Sequence, residues 1–400
     1  IPVVLMFVIN LLVLIRMLRH TPLQFLRCDL KKNKRKKAMR LPKWNFLSRF
    51  RLRIIFQNIP NYLILFVGIA FISIMLAMAI GMPSTLQYYK DNTKDMMIAD
   101  YQYVLKSYKD ETGKEITTKN SDAEKFSMDS LLYKTDAMDE EVSVYGVEDT
   151  SKYISLPDAK NLKEKEVYIS KPFRDKYDVA VGDTVTLNAK YEKKKYSFKV
   201  KGFFEHSQSI AVFMPIEQYR TVFDKDKDAF DGFFTNTKIK DVKKDYIATV
   251  ITEREITKMS NQLDHTMGSY MLYFQFLCVI LSAVLIYLLT KIIIEKNEVA
   301  ISMTKILGYT DGEIAKLYLL ATTIVVIICA ALSVLVGTLV MRSVWTVMLQ
   351  SMSGWFTFIM GPLDYFKMFA FIFVGYLVVM LFDFRRIRKI PLDEALKRVE

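Results

Sequence analysis

The sequence predicts a membrane protein of the α-helical class: four spans, an α+β domain outside the membrane inserted between the first and second, and the end of a further span ahead of them. Three observations lead there. Residues 61–82, 270–290 and 317–340 are apolar and uncharged, and a fourth apolar run covers roughly 365–384. A hydrocarbon core about 30 Å thick takes about 20 residues of helix, and a helix satisfies its own backbone groups there. Basic residues alternate from one inter-run segment to the next, as an orientation bias requires. Finally, the stretch 84–268 is long enough, at roughly 185 residues, for one folded domain.

Residues 1–15, IPVVLMFVINLLVLI, form an apolar run with Arg16, Arg19 and His20 behind it. A signal peptide carries its charge ahead of its apolar core, so residues 1–27 read as the close of a preceding transmembrane module in a longer chain. Residues 28–60 hold the basic run KKNKRKKAMR and then NFLSRFRLRIIFQNIP. At helical spacing the latter sets Phe46, Phe50 and Ile54 on one face and Arg49 and Arg53 on another, a helix suited to the bilayer surface. Lysine and arginine there attract anionic membrane lipids and place this side in the cytoplasm.

The span 61–83 then leads outward, with Pro83 and Ser84 expected to end its helix, and the span 269–294 returns. The cytoplasmic segment 295–316 contains Lys296, Lys305 and Lys316. The third span, 317–341, leads to an outer loop, 342–363, whose one basic residue is Arg342 and whose Trp345 and Trp355 suit an outer interface. The fourth span, 364–384, has Lys367 and Asp383 at its ends, within reach of the interface. The tail 385–400 opens with Arg385, Arg386, Arg388 and Lys389. On this reading no charge is buried in the spans to mark an ion path.

Within 84–268, EVSVYGV (141–147), EVYIS (166–170), DTVTLNA (183–189), YSFKVKGFF (196–204) and IAVFMP (210–215) read as strands, separated by turn formers. IEQYRTVF (216–223) has the helical spacing of Ile216, Tyr219 and Phe223. From Asp241 onward a last strand and then an uninterrupted helix lead into the second span, giving a stiff stalk.

Several functions are excluded. The net charge of +13 is concentrated beside spans, where it orients helices, and calls for no nucleic-acid partner. Cys28, Cys278 and Cys329 all lie outside 84–268, so no disulfide holds the outer domain. His20, His206 and His265 are scattered, leaving no metal set. No P-loop, G-x-S-x-G or H-E-x-x-H motif occurs. No cofactor, metal or catalytic residue is expected, and ATP hydrolysis by this chain alone is not.

Two further features concern organisation. RMLRHTPLQFLR (16–27) and RRIRKIPLDEALK (385–397) share a basic cluster followed by Pro-Leu, as if two homologous membrane modules each ended in this element. In the cytoplasmic segment, Gly308 can end a short helix in the left-handed conformation, and Thr310 can cap the next with Glu313 three residues on.

This layout resembles the FtsX-like permeases, the MacB/LolC type of ABC transporter membrane subunit, over about 45–400. The segment EVAISMTKILGYTDGEIAKLYLL (298–320) is similar to that family's coupling segment, at Glu298, Ala300, Lys305, Leu307, Gly308, Tyr309, Thr310, Asp311 and Ile314. KPFRDKYDVAVGDTVTL (171–187) looks like its outer-domain element, where a helix leads through Gly-Asp into a strand, and residues 45–60 resemble its interfacial helix. Two positions depart from the pattern: Ala321 stands where many relatives carry Glu, and Pro60 where the interfacial helix ends in a basic residue. A lysine-rich chain with a cysteine-free outer domain suits a Gram-positive surface, and the resemblance implies a permease in a bacterial cell membrane. It implies as partners a separate ATP-hydrolysing ABC subunit, contacted through Glu298, Lys305, Leu307, Gly308, Tyr309, Thr310, Asp311 and Glu313, and a second permease module in the full-length chain. The action implied is on a peptide, lipid or lipoprotein outside the membrane. The other branch it leaves open is a regulator of a cell-wall hydrolase, like the cell-division members.

Overall fold

The computed structural model describes residues 46–391 except 158, 160, 161 and 192, and before them residues 6, 7, 10, 11, 14 and 15, all helical. At 46, 47, 50, 259, 260 and 263–267 it describes the backbone. The basic linker, the first Pro-Leu element and the second beyond Pro391 lie outside the described residues, as does most of the run 1–15. Residues up to Phe50 form one unit, and Arg51–Glu400 a second; the bundle and outer domain belong to the second.

Helix α1 (Phe46–Gln57) gives way at Asn58 to α2 (Ile59–Asp91). Asn58 donates from its side chain to the Ile54 carbonyl at 2.9 Å. Pro60 falls in the first turn of α2, where a missing N–H costs nothing. Helices α5 (Glu253–Lys296), α7 (Asp311–Gln350) and α8 (Pro362–Lys389) complete four candidate spans. At 1.5 Å per residue α7 is about 60 Å long and α5 about 66 Å, each twice the hydrocarbon thickness. Both run on into the outer domain's level.

Leu65, Ile69 and Leu76 of α2, Cys278 and Ile286 of α5, Val326 and Ala330 of α7, and Ile372 and Tyr376 of α8 form one buried cluster. The opposite faces leave Leu63, Phe71, Phe276, Ile280, Leu335 and Leu339 exposed. In water such a surface promotes association, whereas in a bilayer it faces lipid. Helix α7 approaches α2 at Gly337, where a Cβ would lie 2.7 Å from Ser73 Cβ and 2.8 Å from its carbonyl carbon. Close backbone approach through small residues is how membrane helices gain contact where no hydrophobic force drives them.

Three expectations for the spans are corrected. Pro83 does not end the first helix, which continues to Asp91. Proline removes the N–H that would bond the carbonyl four residues back, here Ala79; Gln275 of α5 donates to that carbonyl at 2.9 Å, so the helix passes its break with no acceptor left bare. Asp383 does not reach the interface: it is 1% exposed, because α8 runs on to Lys389 and turns this residue toward Thr290 of α5. Trp345 is buried as well, its indole N–H donating to the Phe356 carbonyl at 3.1 Å, because the α7–α8 loop folds back over it.

Among the described residues the outer domain has nine strands: β1 (Tyr101–Leu105), β2 (Glu124–Lys134), β3 (Asp139–Val147), β4 (Glu166–Ser170), β5 (Thr184–Ala189), β6 (Lys195–Phe204), β7 (Ala211–Pro215), β8 (Gly232–Thr235) and β9 (Ile247–Thr252). Their order is β3-β7-β4-β6-β5-β2-β8-β1-β9, and β3 also pairs with β2. That extra pairing closes β2 to β7 into a ring of six. Alternate residues of the ring strands (Leu131, Val142 and Val144, Val167 and Ile169, Val185 and Leu187, Phe198 and Val200, Val212 and Met214) meet in one buried cluster, as the two-residue period of a strand demands. Strand β2 belongs to two assemblies. Its Glu124–Phe126 pair with β8 and its Leu131 and Leu132 with β5, while β3 runs along its other side. Between those partners the Met128 amide donates to the Asp231 carboxylate at 2.9 Å.

Two short helices lean on the ring: α3 (Lys171–Tyr177) and α4 (Ile216–Phe223). The Ser170 hydroxyl caps α3 by accepting the Phe173 amide, and accepts the Ala211 amide as well.

Candidate coupling site

At the inner end, Asn297 alone separates α5 from α6 (Glu298–Ile306), and Leu307–Thr310 separate α6 from α7. Gly308 has φ +92° with open space around its missing Cβ, the left-handed turn that releases the chain from α6. The Thr310 hydroxyl accepts the Glu313 amide, and the Glu313 carboxylate accepts the Thr310 amide at 3.0 Å, a reciprocal capping box. Ile301 and Ile314 are fully buried beneath.

Lys305 sits differently from a lysine offered to a partner. Its side chain is 9% exposed and pairs with Asp311 at 3.0 Å. It also donates to the carbonyls of Arg388 and Ile390, at 3.2 and 3.0 Å, where a cation opposes the negative end of the α8 dipole. One ammonium thus ties α6, the start of α7 and the end of α8. Leu307, Gly308, Tyr309, Thr310 and Glu313 face solvent, and Glu298 is half-buried in the first turn of α6. Beside them Met303 and Ile306 are exposed, so Met303, Ile306, Leu307 (72% exposed) and Tyr309 make an apolar surface.

On α1, Arg49 and Arg53 are exposed and Ile54 is buried; the side chains of Phe46 and Phe50 lie outside the described residues. A second ion pair fastens this level of the bundle, Arg386 of α8 to Glu295 of α5 at 2.7 Å.

At the outer end of α7 stands a cluster with no motif to mark it in the sequence. Lys176 of α3 and Glu140 of β3 form an ion pair with 0% and 1% side-chain exposure. Lys176 also donates to the carbonyls of Met352 and Gly354, at 2.7 and 3.2 Å. Glu140 accepts from the Ser353 hydroxyl at 3.1 Å, the Gly354 amide at 3.0 Å and the Tyr177 hydroxyl at 3.1 Å. Burial, then the nearby Glu140 carboxylate, raises the Tyr177 pKa and keeps the phenol a donor. The same loop is bonded to the bundle: Thr85 of α2 exchanges two hydrogen bonds with Ile359, and Tyr89 accepts from the Thr357 amide. A cavity of about 580 Å³ opens beside it, lined by Leu86, Tyr88, Tyr89, Met96, Ile256 and Phe356 with Lys171, Asp175 and Glu205.

Four spans, a β-rich domain inserted outside after the first, and a capped helical segment on the inner face define a membrane permease subunit. Two family models match the sequence: MacB-like periplasmic core domain over residues 61–250 and FtsX-like permease C-terminal over residues 272–392. The chain belongs to the FtsX-like permeases, with a MacB-like outer domain; these are membrane components of ABC transporters and not themselves the ATPase. No curated protein matches it in sequence. Among solved structures, the extracellular domain of the noncanonic ABC-type transporter YknZ from Gram-positive bacteria is similar at 12% identity, over 42% of this chain and 95% of that one, with a TM-score of 0.24.

Proposed function

We propose that this chain couples ATP hydrolysis by a separate ABC subunit to movement of its outer domain, which acts on a peptide, lipid or lipoprotein outside the membrane. The observation that carries the reading is the inner segment itself. An apolar surface (Met303, Ile306, Leu307, Tyr309), flanked by Glu298 and Glu313, is exposed on a turn that Lys305 fastens to α7 and α8. The apolar side chains suit the hydrophobic centre of a protein interface and the acids its rim. In this reading Lys305 and Asp311 hold the segment in shape, and Glu298, Leu307 and Tyr309 meet the ATPase subunit. A push on α6 passes to α7 through the Lys305–Asp311 pair and the capped turn. The cavity at the outer junction, lined by both aromatic and charged side chains, suits an amphipathic substrate. A second permease module in the full-length chain and anionic lipids along α1 complete the expected partners.

The test is reconstitution with the ATPase subunit. Leu307→Asp and Glu298→Lys should weaken its binding at least tenfold, with the chain still inserted and the outer domain still folded. Lys193→Glu, in the outer hairpin, should leave binding unchanged. Undiminished binding by both inner variants would refute the assignment of this surface. ATP turnover by the purified chain alone would refute the division of labour, since no phosphate-holding loop is present in the sequence.

A further inference from the structure

The outer domain enters and leaves the bundle at two adjacent points. Helix α2 leads through residues 92–100 into β1, and β9 leads directly into α5. Strands β1 and β9 are antiparallel neighbours, Tyr101 lying opposite Thr252, and β9 ends the strand order. Two tethers side by side define an axis but leave rotation about it unconstrained. A third point of attachment is needed to set that rotation, and it must lie away from the first two.

The Glu140–Lys176 cluster meets that requirement. It sits on the six-stranded ring, on β3 and α3, and takes hold of Met352, Ser353 and Gly354. Four hydrogen bonds cross from the ring to this loop. Ser351 is the one residue between the end of α7 and the gripped segment, so the grip falls on the tip of a continuous forty-residue helix. Gly354, at φ +85° with nothing within 4 Å of a built Cβ, lets the loop turn back with both its amide and its carbonyl aimed at the pair. Both charged groups are fully enclosed, and an enclosed pair whose hydrogen-bonding groups are all engaged holds one geometry in a way a surface pair does not.

We infer that α7 works as a push-rod: its displacement at the cytoplasmic turn is delivered through the Glu140–Lys176 clamp and rotates the outer domain about the β1–β9 tethers. This rests on the transmission reading above and adds the route, the joint and the axis.

The test uses the full chain with its ATPase subunit in nanodiscs, after replacing Cys28, Cys278 and Cys329 by serine. One pair of spin labels, at Lys316 and Ile292, both exposed, reports the inner end of α7 against α5; a second, at Tyr191 and Tyr270, reports the outer domain against the bundle. Distances are compared without nucleotide and with ATP trapped by vanadate. In the unmodified clamp both pairs should shift. In Glu140→Gln the inner shift should persist, while the outer distribution broadens and loses its shift. A Gly-Ser-Gly-Ser insertion between Ser351 and Met352 leaves the pair intact inside the domain and disconnects it from α7; it should give the same loss, and it decides the matter if Glu140→Gln does not fold. An outer shift of wild-type size in a folded clamp or insertion variant overturns the push-rod, as does an unmodified protein whose inner pair moves and outer pair does not. An inner pair that stays still in the unmodified protein instead removes the transmission reading, and the push-rod with it.

Discussion

The two ends of α7 are built from the same parts and differ in burial. Each has a lysine–carboxylate pair, Lys305–Asp311 inside and Lys176–Glu140 outside, and each has a glycine at positive φ with open space around it, Gly308 and Gly354. Inside, the acid is 40% exposed and shares its lysine with two carbonyls at a helix end. Outside, neither partner exceeds 1%. An exposed pair is screened by solvent and contributes about 0–1 kcal/mol, whereas breaking a buried pair on one side costs about 3–5 kcal/mol. On the coupling proposed above, that sets a lightly held joint at the partner-facing end against a firmly held one at the outer domain.

The comparison breaks most readily at the outer end. Lys176→Met leaves Glu140 enclosed without its cation and should lower the outer domain's stability by about 3–5 kcal/mol, read by urea unfolding in detergent. A loss under about 1 kcal/mol would erase the distinction between the ends. The next effect lies between them. Gln275→Leu strips the partner from the Ala79 carbonyl and should cost about 1–3 kcal/mol. In a Pro83→Ala background, where the backbone supplies an N–H again, the same change should cost much less, and a double-mutant cycle reads that coupling. Equal costs in the two backgrounds would mean that Gln275 is not compensating for the proline.

At the inner turn, Gly308→Val forces a β-branched residue into the left-handed region and should cost roughly 1–2 kcal/mol. With nothing near its Cβ, that cost is conformational and not steric, so Gly308→Asn should recover much of it. Asp311→Asn should change stability by less than about 1 kcal/mol, and added salt should shrink the difference further.

The smallest effect sharpens the contrast from within the outer domain. Asp122 accepts from Lys152 at 2.7 Å and from the Asn236 amide, in that order of influence, and its pKa is lowered from 3.8 to about 2. A lowered folded-state pKa contributes stability that is full above the unfolded value and is lost as pH falls through the folded one. Asp122→Asn should therefore destabilise the domain at neutral pH, with the gap to wild type closing between pH 3.8 and about 2. A gap independent of pH in that window would assign the effect to shape instead of charge.

What the sequence discloses follows the range of each interaction. Spans are legible because hydropathy acts over a whole run, and the Thr310–Glu313 cap because its partners are three residues apart. Strands β4 and β7 stand out as nearly continuous apolar runs. Strand β2 does not, since the alternation of Phe126 and Met128 breaks at Ser130 and resumes out of step at Leu131, nor do β1, whose apolar run Gln102 interrupts, and β8, only four residues long. Pro83 reads as a terminator because its remedy, Gln275, lies on another helix. The outer clamp left no trace at all: Glu140 and Lys176 look like surface charges, and what they hold is largely backbone, which carries no side-chain signature.

The doubly employed strand β2 has a consequence for life outside the cell. Between Phe126 and Leu131 one of its edges passes from β8 to β5 with no strand alongside. Such an opening is a template on which a foreign strand can add, the usual start of edge-to-edge aggregation. Here the Met128 amide is already taken by the Asp231 carboxylate, a group that a newcomer would have to displace and then leave without a donor. A protein working beyond the reach of cytoplasmic chaperones thus carries its own guard at this gap in the pairing of β2.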